Sequence, residues 1–404
     1  MLGWELPPYN SGGLGVACLN LSRALARMGV DIDFVVPYEA DHEITHMKVL
    51  GATRIDPLFR YGGGAYDSKR ITEKMFKLFS EEEILSIRDI QRCYCEFVER
   101  YLMEFKPDFV HAHDWLTYEA GILAKRNFGI PLVAHVHATE YDRSGMSEGN
   151  PIVHEIEREG LMWADRIIAV SQMTKDIIVE NYGIPADKIE VAYNGLDSSY
   201  IDEDYEYDGS NYRYMEKLRK KGWTVVSTVG RFTLQKGLSH MIRAAARAVS
   251  VHPKMLFLFA GDGEQKDELL QLSADLGIAK NVLFTGFIRG KQVRDVYAAS
   301  DIFVMSSVSE PFGLTALEAA HHGNALVITK QSGVGEVLRN VFRYDFWDED
   351  KLANALIGIA ESTALRENLR DGVAQEYRNI SWEDVARKCL EVYDEARKHK
   401  RNAF

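Results

Sequence analysis

The sequence predicts an α/β protein built from two doubly wound domains in tandem, each a parallel sheet with helices on both faces. At 404 residues the chain is too long for one ordinary core, since domains average roughly 150 residues. Short, almost wholly apolar runs alternate with helical patterns, which is typical of parallel strands buried on both faces. The alternation stops once, in a polar stretch at residues 194 to 222, and then resumes.

The first half contains apolar runs that predict buried strands: IDFVVP, PDFVHAHDW, PLVAHVHA, ADRIIAVS and KIEVAYNG. Helical patterns separate them, as in GVACLNLSRALARMG, where Gly29 marks the end of a helix. We assign residues 1–195 to an N-terminal domain. Residues 196–221 are acidic and turn-rich and are predicted to connect the domains.

The second half repeats the pattern in WTVVSTVGRF, MLFLFAGDGE, NVLFTGFI, DIFVMSS and ALVITK. These runs define a C-terminal domain at residues 222–375. The last segment, residues 376–404, predicts a helix that could pack on either domain, including one that crosses back to the N-terminal domain.

Composition excludes several classes of function. With 46% hydrophobic and 27% charged residues the chain should fold throughout, and a formal charge of −12 argues against nucleic acid as a partner. A local basic pocket for a small phosphate ligand stays possible. The four cysteines, Cys18, Cys93, Cys95 and Cys389, indicate neither disulfides nor a zinc site, so a reduced, cytoplasmic protein is expected.

Contact with a membrane is expected to be peripheral at most. The sequence has no run near the roughly 20 apolar residues that span a bilayer, and no signal pattern at its start. One stretch, SKRITEKMFKLF at residues 68 to 79, could form an amphipathic helix on a membrane surface. An ordinary surface helix with a core-facing stripe is the favoured reading of that pattern.

Two glycine clusters follow predicted strands, where open parallel sheets bind ligands. NSGGLGV, residues 10 to 16, opens a helix whose free amides favour an anion, although a structural turn is an alternative and a dinucleotide fingerprint is incomplete. STVGRFTLQKGL places Arg231, which follows Gly230, five residues before Lys236. An arginine fork beside a lysine point charge suits a diphosphate.

A third stretch, SEPFGLTALEAAHHGNALV, carries Glu310 and Glu318 on either side of a helix start. Pro311 and Gly313 should keep the two glutamates out of one continuous helix. The amides of Phe312, Gly313 and Leu314 would be the unpaired donors of the new helix, and Glu318 could accept hydrogen bonds from a ribose. The stretch therefore predicts a site for a sugar joined to a nucleotide.

These three motifs together resemble the family 4 retaining glycosyltransferases of the GT-B fold, with the glycogen and starch synthases close by. The resemblance runs through HAHDWLT, VHATE, ADRIIAVS, VAYNGLD, AGDGE and FTGFI in the order usual for the family. It implies two Rossmann-like domains facing across a cleft. It also implies an enzyme that moves a sugar from a nucleotide-sugar donor, a substrate and not a cofactor, to a carbohydrate or glycoconjugate acceptor.

The resemblance assigns roles to particular residues. Arg231 and Lys236 would bind the donor diphosphate with Gly230, and Glu318 would bind the ribose. Glu310 and the amides after it would hold the transferred sugar, while the Gly12 and Gly13 loop would close over the phosphates. The acceptor-side residues would be Asp114 and His137, and the catalytic set would be Arg231, Lys236, Glu310 and His137.

The neighbouring histidines are interpreted separately. His137 follows a strand and could hydrogen-bond a sugar hydroxyl. His135 is expected to be the structural histidine, on the other face of the same strand, and His111 and His113 are expected to be packing residues.

The implied mechanism has the acceptor hydroxyl attack on the face from which the nucleoside diphosphate departs, with the leaving phosphate taking the proton. Cationic side chains would neutralise the diphosphate, so no metal is expected. The DED runs at residues 202 to 204 and 348 to 350 are interpreted as solvated charges and not as metal ligands.

The chain departs from the family pattern in two places. Polyglucan synthases carry a lysine just before the glycine pair, and Asn10 and Ser11 stand here instead, which argues against glycogen synthase proper. The first strand is short, as if the N-terminus were clipped. A nucleotide-sugar epimerase, a phosphorylase and a non-enzymatic sugar-nucleotide scaffold stay open as alternatives. Glucose is the favoured sugar, with UDP or ADP as candidate nucleotides, whereas the acceptor and the oligomeric state are left open.

Overall fold

The computed structural model describes residues 1–10, 12–53, 87–147, 149–196, 207 and 212–402. The chain divides into two compact units. Unit 1 comprises Met1–Arg143, Glu148–Gly195 and Trp382–Phe404, and unit 2 comprises Ser144–Ser147 and Leu196–Ser381. Each unit contains its own parallel sheet with helices between the strands, so both halves are α/β as the sequence predicts.

Unit 1 has six described strands: β1 (Asp33–Val36), β2 (Lys48–Gly51), β3 (Val110–His113), β4 (Leu132–Val136), β5 (Arg166–Ala169) and β6 (Ile189–Val191). Its helices are α1 (Gly13–Arg27), α2 (Ile87–Glu104), α3 (Trp115–Phe128), α4 (Glu140–Arg143), α5 (Pro151–Trp163) and α6 (Gln172–Tyr182), joined by the C-terminal helix described below. Strands β1, β3, β4 and β5 are buried nearly throughout, which explains why apolar runs predict them.

Residues at the start of the chain complete this sheet. β1 pairs with β2, and β3, β4, β5 and β6 follow one another in order. Leu2 forms parallel bridges to Val35 on one side and Ala112 on the other. Its amide donates to the His111 carbonyl at 2.7 Å, and its carbonyl accepts from His113 at 3.0 Å. Leu2 therefore joins the two parts of the sheet through these isolated bridges.

Unit 2 has a six-stranded parallel sheet in the order β12-β11-β10-β7-β8-β9. The strands are β7 (Thr224–Val229), β8 (Met255–Ala260), β9 (Val282–Gly286), β10 (Ile302–Met305), β11 (Ala325–Thr329) and β12 (Phe342–Tyr344). The helices are α7 (Arg213–Arg219), α8 (Leu238–Val251), α9 (Lys266–Asp275), α10 (Lys291–Ala298), α11 (Leu314–His321), α12 (Glu349–Glu361) and α13 (Thr363–Tyr377).

The C-terminal helix α14 (Trp382–Asn402) belongs to unit 1, although it follows unit 2 in the chain. Its buried residues, Trp382, Val385, Ala386, Cys389, Val392, Tyr393 and Ala396, recur at helical spacing and form one apolar face. The helix packs on α1, β4 and β5. The sequence did not predict which domain this helix packs on, because an amphipathic pattern shows that one face is buried but not which surface covers it.

No helix within the described residues is long and apolar enough to cross a membrane. The stretch at residues 68 to 79 and the acidic run at residues 202 to 204 lie outside the described residues.

Candidate functional site

A pocket in unit 2 lies at the carboxyl ends of β7 and β10, which are neighbours in the sheet. The space between its walls, which is open to solvent, is about 300 Å³, and its lining includes Gly230, Arg231, Lys236 and Glu310. These residues come from two motifs about 75 positions apart in the sequence, brought together because parallel strands end at the same edge. The structure therefore places the basic motif and the first glutamate of the acidic motif around one cavity.

The backbone between β7 and α8 places Lys236 beside β10. A single 3₁₀ turn, Leu234–Lys236, ends at Gly237, which has φ of +58°. A Cβ atom at Gly237 would lie 2.2 Å from the Ser306 carbonyl oxygen, so only glycine fits this close approach. The Ser306 hydroxyl then donates to the Lys236 carbonyl at 2.8 Å. Sheet and loop are thus fixed to each other next to the pocket.

Lys236 and Glu310 form an ion pair inside the pocket. The Lys236 Nζ atom lies 2.6 Å from Glu310 Oε2, and the two side chains are 26% and 13% exposed. The hydroxyl of Ser307 donates to the same carboxylate oxygen at 2.8 Å. Arg231 lines the same pocket, so two cationic side chains and one carboxylate surround the cavity. The arrangement can bind an anion and can also accept hydrogen bonds from hydroxyl groups.

Helix α11 starts at Leu314, after Pro311 and Gly313, so Glu310 and Glu318 do not share one continuous helix. Gly313 has φ of +112°, and a Cβ atom there would lie 2.8 Å from Met305 Cε. The carbonyl of Phe312 accepts a hydrogen bond from Val334 at 2.7 Å, which ties the turn to the neighbouring loop. The first amides of α11 have no acceptor within their own helix.

Glu318 lies in the second turn of α11 and is only partly exposed. The buried hydroxyl of Tyr297 donates to Glu318 Oε2 at 2.9 Å. Burial raises the pKa of Glu318 to about 7, and the hydrogen bond from Tyr297 opposes this shift only in part. Glu318 is thus poised between its neutral and charged forms near neutral pH.

In unit 1, the residues predicted for the glycine loop and the acceptor side lie near two helix starts. Gly12 is the N-cap residue of α1 and has an extended backbone conformation. The side-chain amide of Asn10 donates to the Gly12 carbonyl at 2.9 Å. Asp114 precedes α3 with a φ of +59°, an unusual value for a residue other than glycine. Asp114 is 1% exposed, so its carboxylate is buried in this unit.

The Asp114 carboxylate holds the segment that follows β4. Its Oδ1 atom accepts hydrogen bonds from the amides of His137 at 2.7 Å and Ala138 at 3.4 Å. Burial raises the pKa of Asp114 to about 7, against the opposing effects of Arg143 and these two amides. The position of His137 therefore depends directly on Asp114.

Arg143 also binds the segment that follows β4. Its side chain is 6% exposed, donates to the Ala138 carbonyl at 2.9 Å, and pairs with Glu140 at 3.1 Å and with buried Glu157. The hydroxyl of Tyr182 also donates to Glu157. A charged side chain buried this deeply is retained only with such partners, so the segment bearing His137 is firmly fixed.

The expectation that His135 faces away from His137 is wrong. The two rings stack with centroids 4.2 Å apart, because residues two apart on a strand point to the same side. His137 is partly exposed, and its Nε2 atom bonds His113 Nδ1 at 3.0 Å. Burial lowers the pKa of His137 to about 3, so its imidazole is neutral near pH 7.

The acidic run at residues 348 to 350 serves the start of α12. Asp348 accepts from the Lys351 amide at 3.0 Å, as an N-cap does. Glu349 pairs with Arg247 at 2.9 Å, and Asp350 pairs with the same arginine at 2.8 Å. Each acid of this run thus has a partner within the protein.

Two site residues were missed from the sequence. Ser307 donates to Glu310 and Tyr297 donates to Glu318. Ser307 lies just after β10, where strand-end position alone could have indicated it. Tyr297 lies in α10, and no sequence spacing links it to Glu318.

Comparisons with known proteins agree with this architecture. Residues 11–200 match the model of Glycosyltransferase Family 4, and residues 213–375 match the model of Glycosyl transferases group 1. An uncharacterized glycosyltransferase of Methanocaldococcus jannaschii is 28% identical over 97% of each chain. An alpha-maltose-1-phosphate synthase of Mycolicibacterium smegmatis is 30% identical over 70% of this chain and 78% of its own.

A glycogen synthase of Mycobacterium tuberculosis is 28% identical over 99% of this chain and 95% of its own. The solved sucrose-phosphate synthase of Thermosynechococcus elongatus has a TM-score of 0.75 at 18% identity, over 98% of this chain and 97% of its own. Anabaena HepE, solved in complex with UDP and glucose, has a TM-score of 0.73 at 19% identity, over 97% and 98%. The chain is a glycosyltransferase that belongs to family 4, has the GT-B fold and stands near the glycogen synthases.

Proposed function

We propose that this enzyme transfers glucose from a nucleoside diphosphate sugar to a carbohydrate or glycoconjugate acceptor, with retention of the anomeric configuration and without a metal ion. The observation that carries the proposal is that Arg231, Lys236 and Glu310 line one and the same pocket. Two cations suit a diphosphate, and a carboxylate beside them suits the hydroxyls of the attached sugar.

In this proposal the pocket stabilises the leaving group, the nucleoside diphosphate. The acceptor oxygen bonds to the anomeric carbon as the bond from that carbon to the phosphate oxygen breaks, and the acceptor proton passes to the departing phosphate. Negative charge then grows on the diphosphate, beside the Arg231 guanidinium and the Lys236 ammonium. Because protein cations supply this stabilisation, we expect no need for a metal.

Donor binding would rearrange an existing ion pair. The Lys236 Nζ atom lies 2.6 Å from Glu310 Oε2, and an ammonium has three donors, so a phosphate oxygen can share it. Glu310 can then accept a hydroxyl of the sugar, next to the amides of Phe312, Gly313 and Leu314. Glu318, partly exposed on the same helix start, would accept hydroxyls of the ribose.

For unit 1 we propose that His137 hydrogen-bonds an acceptor hydroxyl and that Asp114 positions it through the backbone amide. The Gly12 and Gly13 amides at the start of α1 would bind phosphate oxygens. Asn10 and Ser11 stand where polyglucan synthases carry a lysine. We therefore expect an acceptor other than glycogen, in spite of the glycogen synthase relative.

The experiment tests binding first and transfer second. The full-length enzyme is titrated with the glucose conjugates of UDP, ADP and GDP, beginning with UDP because HepE was solved with UDP and glucose. The best donor is then incubated with maltooligosaccharides, sugar phosphates and inositol phosphates, and nucleoside diphosphate release is measured. We expect release that depends on the acceptor and continues in EDTA, with an α-linked product from an α-linked donor by NMR.

The matched variants are Arg231→Ala and Arg339→Ala, the latter an exposed arginine of unit 2 away from the pocket. Loss of Arg231 should lower turnover about a hundred- to thousandfold, whereas loss of Arg339 should leave it unchanged. Turnover by Arg231→Ala at the wild-type rate would contradict the proposed role. Conversion of the donor without acceptor would favour an epimerase, and binding without turnover would favour a scaffold.

A further inference from the structure

Four histidines form a cluster in unit 1, and the proposed reaction gives a role to only one of them, His137. His111 and His113 lie on β3, His135 lies on β4, and His137 follows it. His111 and His113 are two residues apart and face the same side of the sheet, and so do His135 and His137. His113 lies opposite His135 in the parallel register. The ring centroids of His111 and His113 are 4.3 Å apart, and those of His111 and His135 are 5.2 Å apart.

The hydrogen bonds of the cluster leave two nitrogens without a partner. The Tyr393 hydroxyl bonds His111 Nδ1 at 2.6 Å, His111 Nε2 bonds His135 Nδ1 at 3.2 Å, and His113 Nδ1 bonds His137 Nε2 at 3.0 Å. The Nε2 atoms of His113 and His135 are buried and have no partner among the described residues. The two His–His hydrogen bonds can run in either direction, depending on the tautomers. In one direction the outer Nε2 atom carries an unpaired N–H and in the other an unpaired lone pair, so neither direction satisfies it.

Buried polar atoms are nearly always hydrogen-bonded, so two such nitrogens in one cluster call for a ligand. One nitrogen from each of His111, His113 and His135 lies within 4.8 Å of the other two. A tetrahedral zinc ion with Zn–N bonds of about 2.0–2.1 Å holds its ligand nitrogens roughly 3.3 Å apart. Donor nitrogens within 4.8 Å of one another therefore need only small side-chain shifts to reach that separation around one ion.

We propose that His111, His113 and His135 form a binding site for one divalent transition-metal ion of the zinc class. Imidazole nitrogens select zinc, copper or nickel over magnesium and calcium, which prefer oxygen ligands. Metal-bound histidines usually have a partner on their second nitrogen, and Tyr393 supplies one to His111. The ion would join β3 to β4 and, through Tyr393, hold helix α14 against the sheet.

A second donor set overlaps this site. Atoms of Cys18, His113 and His137 also lie within 4.8 Å of one another. We favour the three imidazoles because both unpaired nitrogens and the Tyr393 partner belong to that set. The two sets differ in chemistry, since only the second would place a thiolate on the metal.

The test uses the full-length chain, stripped of metal with a chelator and then titrated with Zn²⁺ or Co²⁺. We expect one ion per chain, a higher unfolding temperature, no competition by Mg²⁺, and visible Co²⁺ bands of a four-coordinate site without a thiolate charge-transfer band. Absence of stoichiometric binding would overturn the proposal. So would a thiolate band that disappears in Cys18→Ser.

Variants locate the ion. His111→Phe and His135→Asn should abolish Co²⁺ bands, and Tyr393→Phe should weaken affinity about 10- to 100-fold. His154→Phe is the matched control, because His154 stacks on Tyr182 outside the cluster. Tyr393→Phe removes a single oxygen and keeps the ring, so it preserves the test if the histidine variants do not fold. Wild-type affinity in Tyr393→Phe or in a folded histidine variant would refute the assignment.

Discussion

Glu318→Gln should stabilise the protein in alkaline solution and should have little effect in mild acid. Burial raises the pKa of Glu318 to about 7, from an ordinary value of 4.5. Between those values the folded chain binds more protons than the unfolded chain, so the free energy of unfolding falls as pH rises through that interval. Above pH 7 the cost of the charged carboxylate is fully present, and glutamine does not have it.

The size of the effect follows from the two pKa values. Each pH unit between them corresponds to 1.36 kcal/mol, which sets an upper limit of about 3 kcal/mol. Glu318 is partly exposed, and solvent screening reduces this figure, so we expect about 1–2 kcal/mol at pH 8. The glutamine oxygen can still accept the hydrogen bond from Tyr297, which keeps the packing unchanged.

The assay is urea unfolding of the wild type and of Glu318→Gln at pH 5 and pH 8. Glu367→Gln, an exposed glutamate in α13 of the same unit, is the matched control and should give the same small difference at both values. An advantage of Glu318→Gln that does not grow with pH would refute the reasoning. The same variant should also weaken donor binding if Glu318 binds the ribose as proposed.

Three further predictions concern stability, and urea unfolding checks each of them. Arg143→Met should lower the free energy of unfolding by about 3–5 kcal/mol, since it leaves the Glu157 carboxylate buried without a cation; a loss below 1 kcal/mol would contradict this. Gly313→Ala should cost roughly 1–3 kcal/mol because of its positive φ and the clash with Met305, and unchanged stability would show that the turn relaxes. Asp348→Ala should cost about 1 kcal/mol through loss of the N-cap of α12, whereas no loss would mean that the cap is dispensable.

Sequence patterns predicted the strands that carry an apolar run, including the edge strands β6 and β9, and missed β2 and β12. β2 and β12 are short, contain partly exposed residues, and lie at the ends of the sheet order. An edge strand needs no continuous apolar run, because only one side of it pairs and part of it faces solvent. Such strands form through register with a neighbour, and a single sequence does not contain that information.

The part of the candidate site that lies directly after the ends of the strands could be predicted from the sequence. Lys236 and Glu310 could be expected near each other because the strands before them end at one edge of a parallel sheet. Their direct pairing at 2.6 Å could not, since it depends on the turn at Gly237. The misplacement of His135 had a different origin, because the period of two along a strand was available in the sequence and was misapplied.

The two glutamates of the acidic motif occupy opposite environments, which is the physical reason to expect different roles for them. Glu310 has a cation and a hydroxyl as partners, whereas Glu318 has one hydroxyl and a buried setting that raises its pKa to about 7. Glu310 can exchange Lys236 for a donating sugar hydroxyl while the Lys236 ammonium turns to a phosphate oxygen, at little cost in desolvation. A buried carboxylate with a single donor gains most from new ones, so a diol such as ribose would favour the charged form of Glu318. Both glutamates should therefore contribute to binding of the nucleotide sugar. Glu310 would exchange one hydrogen-bond partner for another, and Glu318 would gain hydrogen-bond donors.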